Sequence, residues 1–252
     1  MSGLAFEAAF DLRGQVVIIT GAAGGIGQSL AAAFAERGAR LMLIDRAESV
    51  YDVAARYPGA RGFVADITSE HDVDGVVAAI AEAAGRIDVL VNNAAIGHVG
   101  PAEAVPEAEW TRVIDINLNA QYRITRAVAP HMLARGYGRV VFMASQAAVV
   151  GLDQHVAYCA SKTGLLGMAR CMAIEWGSRG VTVNCVSPTV VNSPMALVGW
   201  SGEKGERARA EIPTRRFAEP EEVALAIVFL ASGAAAMING VNLPVDGGYT
   251  IR

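Results

Sequence analysis

The sequence is poor in cysteine, and its cysteines do not have the spacing of a cross-linked or metal-binding fold. It has three in 252 residues, Cys159, Cys171 and Cys185. Their number is odd and no two of them form a C-x-x-C pair, which argues against a disulfide framework and against a zinc site. The four histidines also lack metal-ligand spacing. We therefore interpret the cysteines as small apolar core residues in a reduced compartment, and we expect no bound metal.

An excess of basic residues and a long apolar run are also missing. The formal net charge is −4 with acidic and basic residues interspersed, so no basic face for nucleic acid is indicated. No apolar run reaches the roughly 18 residues typical of a transmembrane helix. The first ten residues do not resemble a secretory signal. We expect a soluble, cytoplasmic protein whose partners include neither nucleic acid nor a membrane.

Lysine is scarce, because only Lys162 and Lys204 among the 21 basic residues are lysines. Lys162 follows Tyr158 in the segment Tyr-Cys-Ala-Ser-Lys, and residues at i and i+4 lie on one face of a helix. A phenol and an ammonium placed in this way can act on the same reacting atom. A compact ammonium and a planar guanidinium fork are not interchangeable, so this exception in an arginine-rich chain indicates a site that needs lysine.

Short β-branched runs alternate with longer amphipathic stretches, which is the pattern of βαβ units. The runs are almost entirely apolar, as is typical of strands that helices cover on both faces. We predict an α/β fold with a Rossmann-type, doubly wound parallel sheet of seven strands. A single domain over residues 1–252 is expected, since no linker or repeat divides the chain. The predicted strands are Val16–Thr20, Leu41–Ile44, Arg61–Ala65, Val89–Val91, Arg139–Met143, Thr182–Val186 and Val241–Val245, and the first helix is predicted over Ile26–Arg37.

A glycine-rich turn follows the first predicted strand and leads into a helix. Gly21, Gly25 and Gly27 would allow a pyrophosphate to approach the backbone N–H groups at the positive end of that helix. Asp45 comes about 20 residues later, at the end of the second strand, where a carboxylate accepts hydrogen bonds from the adenosine ribose hydroxyls. The same charge repels a 2′-phosphate. The sequence therefore predicts NAD rather than NADP as the cofactor, although the plainer interpretation of Asp45 as a helix cap stays open.

These features occur in the order typical of the short-chain dehydrogenase/reductase family, which the chain resembles over nearly its whole length. Residues 20–27 resemble the T-G-x-x-x-G-x-G loop of that family, Asp66-Ile67 its adenine contact, and residues 92–95 its N-N-A-G segment with alanine in the last place. The resemblance assigns cofactor contacts to Gly21, Gly25, Ile26, Gly27, Asp45, Asp66, Ile67, Asn93, Tyr158, Lys162, Pro188, Val191 and Ser193.

The resemblance also implies a catalytic tetrad of Asn117, Ser145, Tyr158 and Lys162. Hydride transfer between a secondary alcohol and a nicotinamide requires a proton to leave or join the same oxygen, so one residue acts as general acid or base. We interpret Tyr158 as that residue, with Lys162 lowering the pKa of its phenol. Ser145 would hydrogen-bond the substrate oxygen. In the family, the lysine also holds the nicotinamide ribose, and Asn117 would hold a water that completes a proton relay.

A narrower resemblance, to the xylulose reductase branch of the family, suggests the substrate. The run Pro-Thr-Val-Val from Pro188 matches that branch, which acts on pentoses and polyols. The residues thereby implied in substrate binding are Ser145, Gln146, His155, Tyr158 and Trp200, under a lid at about residues 191–215. His155 and Trp200 also have structural interpretations, as a hydrogen-bonded histidine and a loop anchor.

The cofactor expectation modifies this resemblance, because the xylulose reductases prefer NADPH whereas this chain has Asp45. We therefore expect a catabolic enzyme that uses NAD to oxidise a small polyol, of the threitol or xylitol kind, to a ketose. A 3-oxoacyl-carrier-protein reductase and a non-catalytic NAD-binding scaffold remain as alternatives. The family usually forms homotetramers through two long apolar helices, which we place around Ile114–Met132 and Val156–Trp176.

Overall fold

A single sheet of parallel strands organises the protein. The computed structural model describes residues 6–193 and 199–252, and the strands in those ranges have the order β3-β2-β1-β4-β5-β6-β7. All neighbouring strands are parallel, so the predicted α/β, Rossmann-type, doubly wound seven-stranded sheet is confirmed. The strands are β1 (Val16–Thr20), β2 (Arg40–Asp45), β3 (Arg61–Val64), β4 (Val89–Asn92), β5 (Gly138–Met143), β6 (Val181–Pro188) and β7 (Asn242–Val245).

Helices form most of the crossover connections that parallel strands require. In the described ranges they are α1 (Phe6–Ala9), α2 (Gly25–Glu36), α3 (Val50–Ala54), α4 (Glu70–Ala84), α5 (Glu107–Ile114), α6 (Ala120–Arg135), α7 (Val156–Gly177), α8 (Gly202–Glu211) and α9 (Pro220–Ala231). The predicted helix Val156–Trp176 matches α7. The predicted helix Ile114–Met132 is wrong at its start, because a π-helical turn over Asp115–Asn119 separates α5 from α6.

Both faces of the sheet are buried, which explains the unbroken apolar runs in the sequence. Alternate residues of a strand point to opposite faces. Val17 and Ile19 of β1 pack into one core cluster with Phe34 of α2, whereas Val16 and Ile18 belong to the other cluster. The second cluster is covered by α4, α6 and α7, and the first by α2, α3 and α9. The helices therefore lie on both sides of the sheet, as a doubly wound fold requires.

The predicted strands differ from the observed ones only at their ends. The largest difference is in β6, which runs from Val181 to Pro188 instead of Thr182 to Val186. Parallel pairing with β7 continues through Pro188, whose partner is Val245. Pro188 itself has no N–H to donate, but the N–H of the next residue, Thr189, donates to the Val245 carbonyl at 3.1 Å.

The carboxyl ends of the strands meet at one edge and create a crevice beside β1. This strand pairs with β2 on one side and β4 on the other, so the chain reverses its winding direction there. In open α/β sheets, ligands bind outside the carboxyl ends of strands at such a switch point. Thr20, Asp45 and Asn92, which end β1, β2 and β4, all lie at this edge.

The described part of the chain has neither a helix that could span a membrane nor a metal-binding cluster. None of its helices is both long and apolar enough to span a membrane. Residues 6–193 and 199–252 also contain no cluster of three or more His, Cys, Asp or Glu side chains that is arranged to hold a metal ion.

A buried carboxylate joins the starts of β1 and β4. Asp88 is fully buried, and its Oδ2 accepts from the Val16 N–H at 2.8 Å while Arg86 donates to both carboxylate oxygens. In Asp88→Ala, two buried or half-buried donors lose their acceptor, so we expect the free energy of unfolding to fall by about 1–3 kcal/mol. Urea unfolding monitored by circular dichroism measures this change. Glu203→Ala breaks the exposed pair with Arg207 and is the control, expected to be neutral; equal losses in both variants would contradict the assignment.

Candidate active site

The turn between β1 and α2 leaves no room for side chains at two of its glycines. Gly21 has φ +65°, in the left-handed region that favours glycine, and a Cβ there would lie 2.8 Å from the Ala94 Cα. A Cβ at Gly27 would lie 2.2 Å from the Gly21 carbonyl oxygen. The turn is therefore closed as tightly as the sequence predicts, and it brings the start of α2 to the edge of the sheet.

The start of α2 has the features of an anion-binding helix end. Helix α2 begins at Gly25 and Ile26, and Gly24 before it has no side chain that could cap the first backbone N–H groups. No acidic residue lies in the first turn. Uncapped N–H groups at the positive end of a helix favour a phosphate. This end of α2 thus fits the pyrophosphate of a dinucleotide.

Asp45 lies against the glycine turn. Its Oδ2 accepts from the Ala23 N–H at 2.9 Å, and its Oδ1 accepts from the Ala47 N–H at 3.0 Å. The carboxylate therefore caps the turn after β2 and joins that turn to the glycine loop. It does not cap a helix, contrary to the plainer interpretation, because the N-cap of α3 is Ser49. Each oxygen retains a lone pair, so two ribose hydroxyls can still donate to it.

Asp66 and Ile67 follow β3 at the same edge of the sheet. The Asp66 side chain is exposed, and its Oδ1 accepts from the Thr68 N–H at 2.9 Å and from the Thr68 hydroxyl at 2.8 Å. Ile67 is buried in the core beside α4. The predicted adenine contact therefore consists of one exposed carboxylate and one core side chain, next to the end of β2.

Asn93 holds the glycine loop with its side chain. Its Nδ2 donates to the carbonyls of Thr20 and Gly21, at 3.0 and 3.1 Å, and its N–H donates to the Thr20 hydroxyl at 3.0 Å. The Ala94 N–H donates to the same hydroxyl at 3.2 Å. Asn93 thus contacts the loop rather than presenting its amide to the crevice, and its predicted cofactor contact stays a prediction.

Asn117 lies in the π-helical turn before α6 and is fully buried. Its Oδ1 accepts from the Ile96 N–H at 2.9 Å, while its Nδ2 donates to the Ile96 carbonyl at 2.8 Å and to the Ser161 hydroxyl at 3.2 Å. Both amide hydrogens are therefore engaged. The side chain connects the segment after β4 to α7, and the water that the resemblance assigns to Asn117 remains a prediction.

Ser145 and Tyr158 meet beyond the end of β5. The Ser145 Oγ accepts from the Ala147 N–H at 3.1 Å, which fixes the hydroxyl at the start of a short 3₁₀ turn. Burial raises the pKa of the Tyr158 phenol, and a hydrogen bond with Ser145 offsets part of that rise. The two hydroxyl groups that the resemblance pairs are thus neighbours in the structure.

Lys162 lies one turn after Tyr158 on α7 and is 2% exposed. Its Nζ donates to the Met143 carbonyl at 2.7 Å and lies 5.6 Å from the centre of the Tyr158 ring. Burial lowers the pKa of the ammonium from 10.5 to about 8. Tyr158 and Lys162 therefore lie one turn apart on the same helix, as predicted. The lysine also anchors α7 to the last residue of β5.

Gln146 and His155 flank these groups. The Gln146 Oε1 is buried, and within the described residues it has no hydrogen-bond partner. The His155 ring packs edge-on against Tyr158, with 6.3 Å between the ring centres, and its Nδ1 lies 2.5 Å from the Asp153 carbonyl oxygen. An orphan acceptor and an imidazole beside the phenol suit a substrate that carries several hydroxyl groups.

The glycine turn, Asp45 and the cluster around Tyr158 all fall within a stretch that matches a known family. The family profile described as enoyl-(acyl carrier protein) reductase matches residues 21–250. The match extends from the end of β1 beyond β7, so it includes both the cofactor crevice and the buried lysine. The chain belongs to the short-chain dehydrogenase/reductase family.

Several relatives cover this short-chain dehydrogenase/reductase almost completely. D-threitol dehydrogenase of Mycolicibacterium smegmatis is 48% identical over 248 residues, which are 96% of this chain and 95% of the relative. NAD-dependent glycerol dehydrogenase of Listeria innocua is 41% identical over 249 residues, 98% of each chain. The solved structure of NAD⁺-bound xylitol dehydrogenase has a TM-score of 0.91 at 29% identity and covers 94% of this chain and 99% of that one.

The remaining predicted site residues follow β6. Pro188 ends that strand, and Val191 is buried and forms a parallel bridge with Ala218. Ser193 is half-buried. Residues 194–198, which belong to the predicted lid 191–215, lie outside the described ranges. The Trp200 ring is covered by the Lys204 ammonium at 4.7 Å. No described contact joins Trp200 to Ser145 or Tyr158, so its substrate role stays a prediction.

Three residues that contribute to the site were not predicted as part of it. Thr20 provides the hydroxyl that holds Asn93, Ser161 accepts from Asn117, and Met143 provides the carbonyl for Lys162. Thr20 and Ser161 belong to the recognised loop and to the Tyr-to-Lys segment, so their positions were a usable signal. Met143 acts through its main chain, which leaves no trace in residue type.

The lowered pKa of Lys162 predicts how stability depends on pH. Between pH about 8 and 10.5 the unfolded chain binds a proton that the folded, cofactor-free protein has released, so stability rises with pH across this window. The rise amounts to about 3 kcal/mol, and below pH 8 the full penalty of the buried ammonium remains. In Lys162→Met we expect this component to be absent. Urea unfolding of both proteins between these pH values measures it; a difference in stability that does not change with pH would contradict the assignment.

Proposed function

We propose that the protein uses NAD to oxidise a secondary alcohol of a small polyol to a ketose. The observation that carries this proposal is the cluster of Ser145, Tyr158 and buried Lys162 at the end of β5, on the same sheet edge as Asp45 and the glycine turn. The cluster provides proton transfer, and the crevice provides a place for a dinucleotide. Oxidation of an alcohol needs both, because a proton leaves the oxygen while a hydride leaves the carbon that carries it.

The residues that would hold NAD are those of the crevice. The uncapped start of α2 would bind the pyrophosphate, and Asp45 would accept from the adenosine ribose hydroxyls. A 2′-phosphate near Asp45 would be repelled by about 4 kcal/mol for unit charges 4 Å apart at an effective dielectric of 20. NAD supplies the acceptor for the hydride that leaves the alcohol carbon.

The chain itself moves the proton. Because burial raises the pKa of Tyr158, its phenol is protonated in the resting site. The ammonium of Lys162, 5.6 Å from the ring centre, stabilises the phenolate and so enables Tyr158 to accept the proton of the substrate hydroxyl. Ser145 hydrogen-bonds the same substrate oxygen and holds it beside the phenol. Loss of this proton from the oxygen, together with loss of the hydride from the alcohol carbon to NAD, converts the substrate C–O single bond into a carbonyl group.

The polyol assignment rests on the groups beside this cluster. The buried Gln146 Oε1 needs a donor, and leaving such an acceptor unpaired costs about 1–3 kcal/mol. A second hydroxyl on the substrate would supply that donor after rotation of the Gln146 side chain, because the oxygen has almost no exposed surface in this structure. The relatives named for threitol and glycerol, and the related structure named for xylitol, act on molecules of this kind. An alcohol with a single hydroxyl would leave the acceptor without a partner.

The 3-oxoacyl-carrier-protein reductase alternative is supported by relatives of that name that are 35% identical to this chain, below the 48% and 41% of the two polyol dehydrogenases. Asp45 does not separate the two candidates, because a related 3-ketoacyl-carrier-protein reductase structure contains NADH. The alternative would need a basic surface for an acidic carrier protein, and the net charge of −4 weighs against such a surface. We therefore retain the polyol dehydrogenase as the function.

Further features of the proposal follow the family resemblance. We propose one domain over residues 1–252, a substrate lid at 191–215 and a cytoplasmic homotetramer formed through α6 and α7. The outer faces of those helices carry exposed apolar residues, Tyr122 at 49% and Ile174 at 83% exposure, which supports the assembly.

Replacing Tyr158 by phenylalanine tests the mechanism. Tyr158→Phe removes the group that accepts the proton, so kcat for NAD reduction by polyols should fall by a factor of about 10²–10⁴. NAD affinity, measured by isothermal titration calorimetry, should remain close to that of the parent. A panel of four- to six-carbon polyols first identifies the best substrate. Turnover of that polyol at the parental rate by Tyr158→Phe would show that the mechanism is wrong.

Replacing Asp45 tests the choice of cofactor. In Asp45→Ala the like charge next to a 2′-phosphate disappears, so kcat/KM with NADP relative to NAD should rise by a factor of about 10–10³. Asp45→Asn is the matched variant, because it removes the charge but keeps a side-chain acceptor for the loop N–H groups. The ratio should rise in both variants. An unchanged ratio in Asp45→Asn would refute the electrostatic argument.

A further inference from the structure

Gln154 has a backbone conformation that its residue type disfavours. Its φ is +61°, and in the described ranges only Arg215 is another non-glycine residue with positive φ. Left-handed backbone is disfavoured for a residue with a Cβ, and it persists where surrounding contacts fix it. A non-glycine residue in this conformation beside a reactive cluster therefore calls for a structural reason.

The contacts of Gln154 supply that reason. Its carbonyl accepts from the Gly100 N–H at 2.9 Å, which ties the segment before α7 to the segment that follows β4. Gln154 lies directly between Asp153 and His155, the residue before the first turn of α7. The side chain is exposed, and among the described residues its one hydrogen bond is donated to the Asp153 carboxylate at 3.1 Å. The left-handed conformation therefore positions the main-chain carbonyl of Gln154 and does not depend on the glutamine amide.

The turn fixes the hydrogen-bonding role of His155. The Asp153 carbonyl, 2.5 Å from Nδ1, can only accept, so Nδ1 must carry the hydrogen. In the neutral imidazole, Nε2 is then an acceptor. The ring stands edge-on to Tyr158, at an angle of 72° between the ring planes. A neutral His155 thus presents an acceptor in the neighbourhood of the proton-transfer group.

We propose that Gln154 is a positioning residue whose left-handed backbone holds His155 in the Nδ1–H tautomer, so that Nε2 accepts a hydrogen bond from a hydroxyl of the polyol. This inference rests on the proposed function and specifies it. Together with the buried Gln146 Oε1, the site then offers two acceptors outside the proton-transfer pair. Two acceptors select neighbouring O–H groups and disfavour a carboxylate or a second carbonyl at the same positions.

The experiment separates the backbone of Gln154 from its side chain. Gln154→Val introduces a β-branched residue that tolerates positive φ poorly, whereas Gln154→Gly and Gln154→Asn tolerate it. We expect Gln154→Val to raise KM for the best polyol at least tenfold while KM for NAD stays unchanged. Gln154→Gly and Gln154→Asn should stay within about twofold of the parent. Gly14→Val is the control: it places the same side chain at φ +75°, in open space before β1, and should leave both KM values unchanged.

A spectroscopic readout tests the same step without turnover. Long-range ¹H–¹⁵N spectra report which imidazole nitrogen is protonated, and the spectrum of His155→Gln assigns the resonance among the four histidines. With the imidazole neutral, we expect Nε2 to be without a hydrogen in the parent and the two tautomers to be mixed in Gln154→Val.

Each possible outcome tests one part of the proposal. Parental polyol KM in Gln154→Val, or equal damage in Gln154→Gly and Gln154→Val, would overturn the backbone role. A protonated Nε2 in the parent would overturn the tautomer. If the parent reduces no NAD with any polyol, the proposed function fails, whereas the tautomer comparison still tests Gln154 by itself.

Discussion

The hydrogen bond from Lys162 to the Met143 carbonyl is the interaction on which the site depends. It joins the interior of α7 to the last residue of β5, at 2.7 Å and in nearly complete burial. Ser145 follows Met143 by two residues, and Tyr158 precedes Lys162 by one helical turn. One contact thus sets the position of the phenol relative to the serine hydroxyl.

The parallel sheet explains how residues far apart in sequence come to act together. Every strand ends at the same edge, so the ends of β1, β2, β4 and β5 deliver the glycine turn, Asp45, Asn93 and Ser145 to one crevice. Side-chain to main-chain hydrogen bonds then fix these segments to one another. Asn93 holds the glycine loop, and Asn117 holds the segment after β4 against α7. The loops around the crevice are therefore joined to one another by shared donors and acceptors.

The sequence allowed the sheet and most of the cluster to be predicted, because apolar runs, glycines and a Tyr-to-Lys spacing are written in residue types. It did not reveal the acceptor of Lys162, since any residue at position 143 provides a carbonyl. It also gave no sign of the π-helical turn at 115–119 or of the positive φ at Gln154. These features are properties of the main chain under tertiary constraint, and side-chain identity encodes them weakly. The sequence also gave no sign that Asn93 holds the glycine loop, because the Asn93 side chain donates to main-chain carbonyl groups.

In the resting site, burial opposes charge on both Tyr158 and Lys162. Burial raises the pKa of Tyr158 and lowers that of Lys162, so each group is biased towards its neutral form. The protein alone therefore disfavours the phenolate, whereas Lys162, with a pKa of about 8, is still an ammonium at neutral pH. In the proposed function, a positive nicotinamide ring bound in the crevice would favour the phenolate, and ribose hydroxyl groups that accept from Lys162 would favour the ammonium. The proposed proton transfer by Tyr158 would then be coupled to occupation of the crevice, with Lys162 in contact with both.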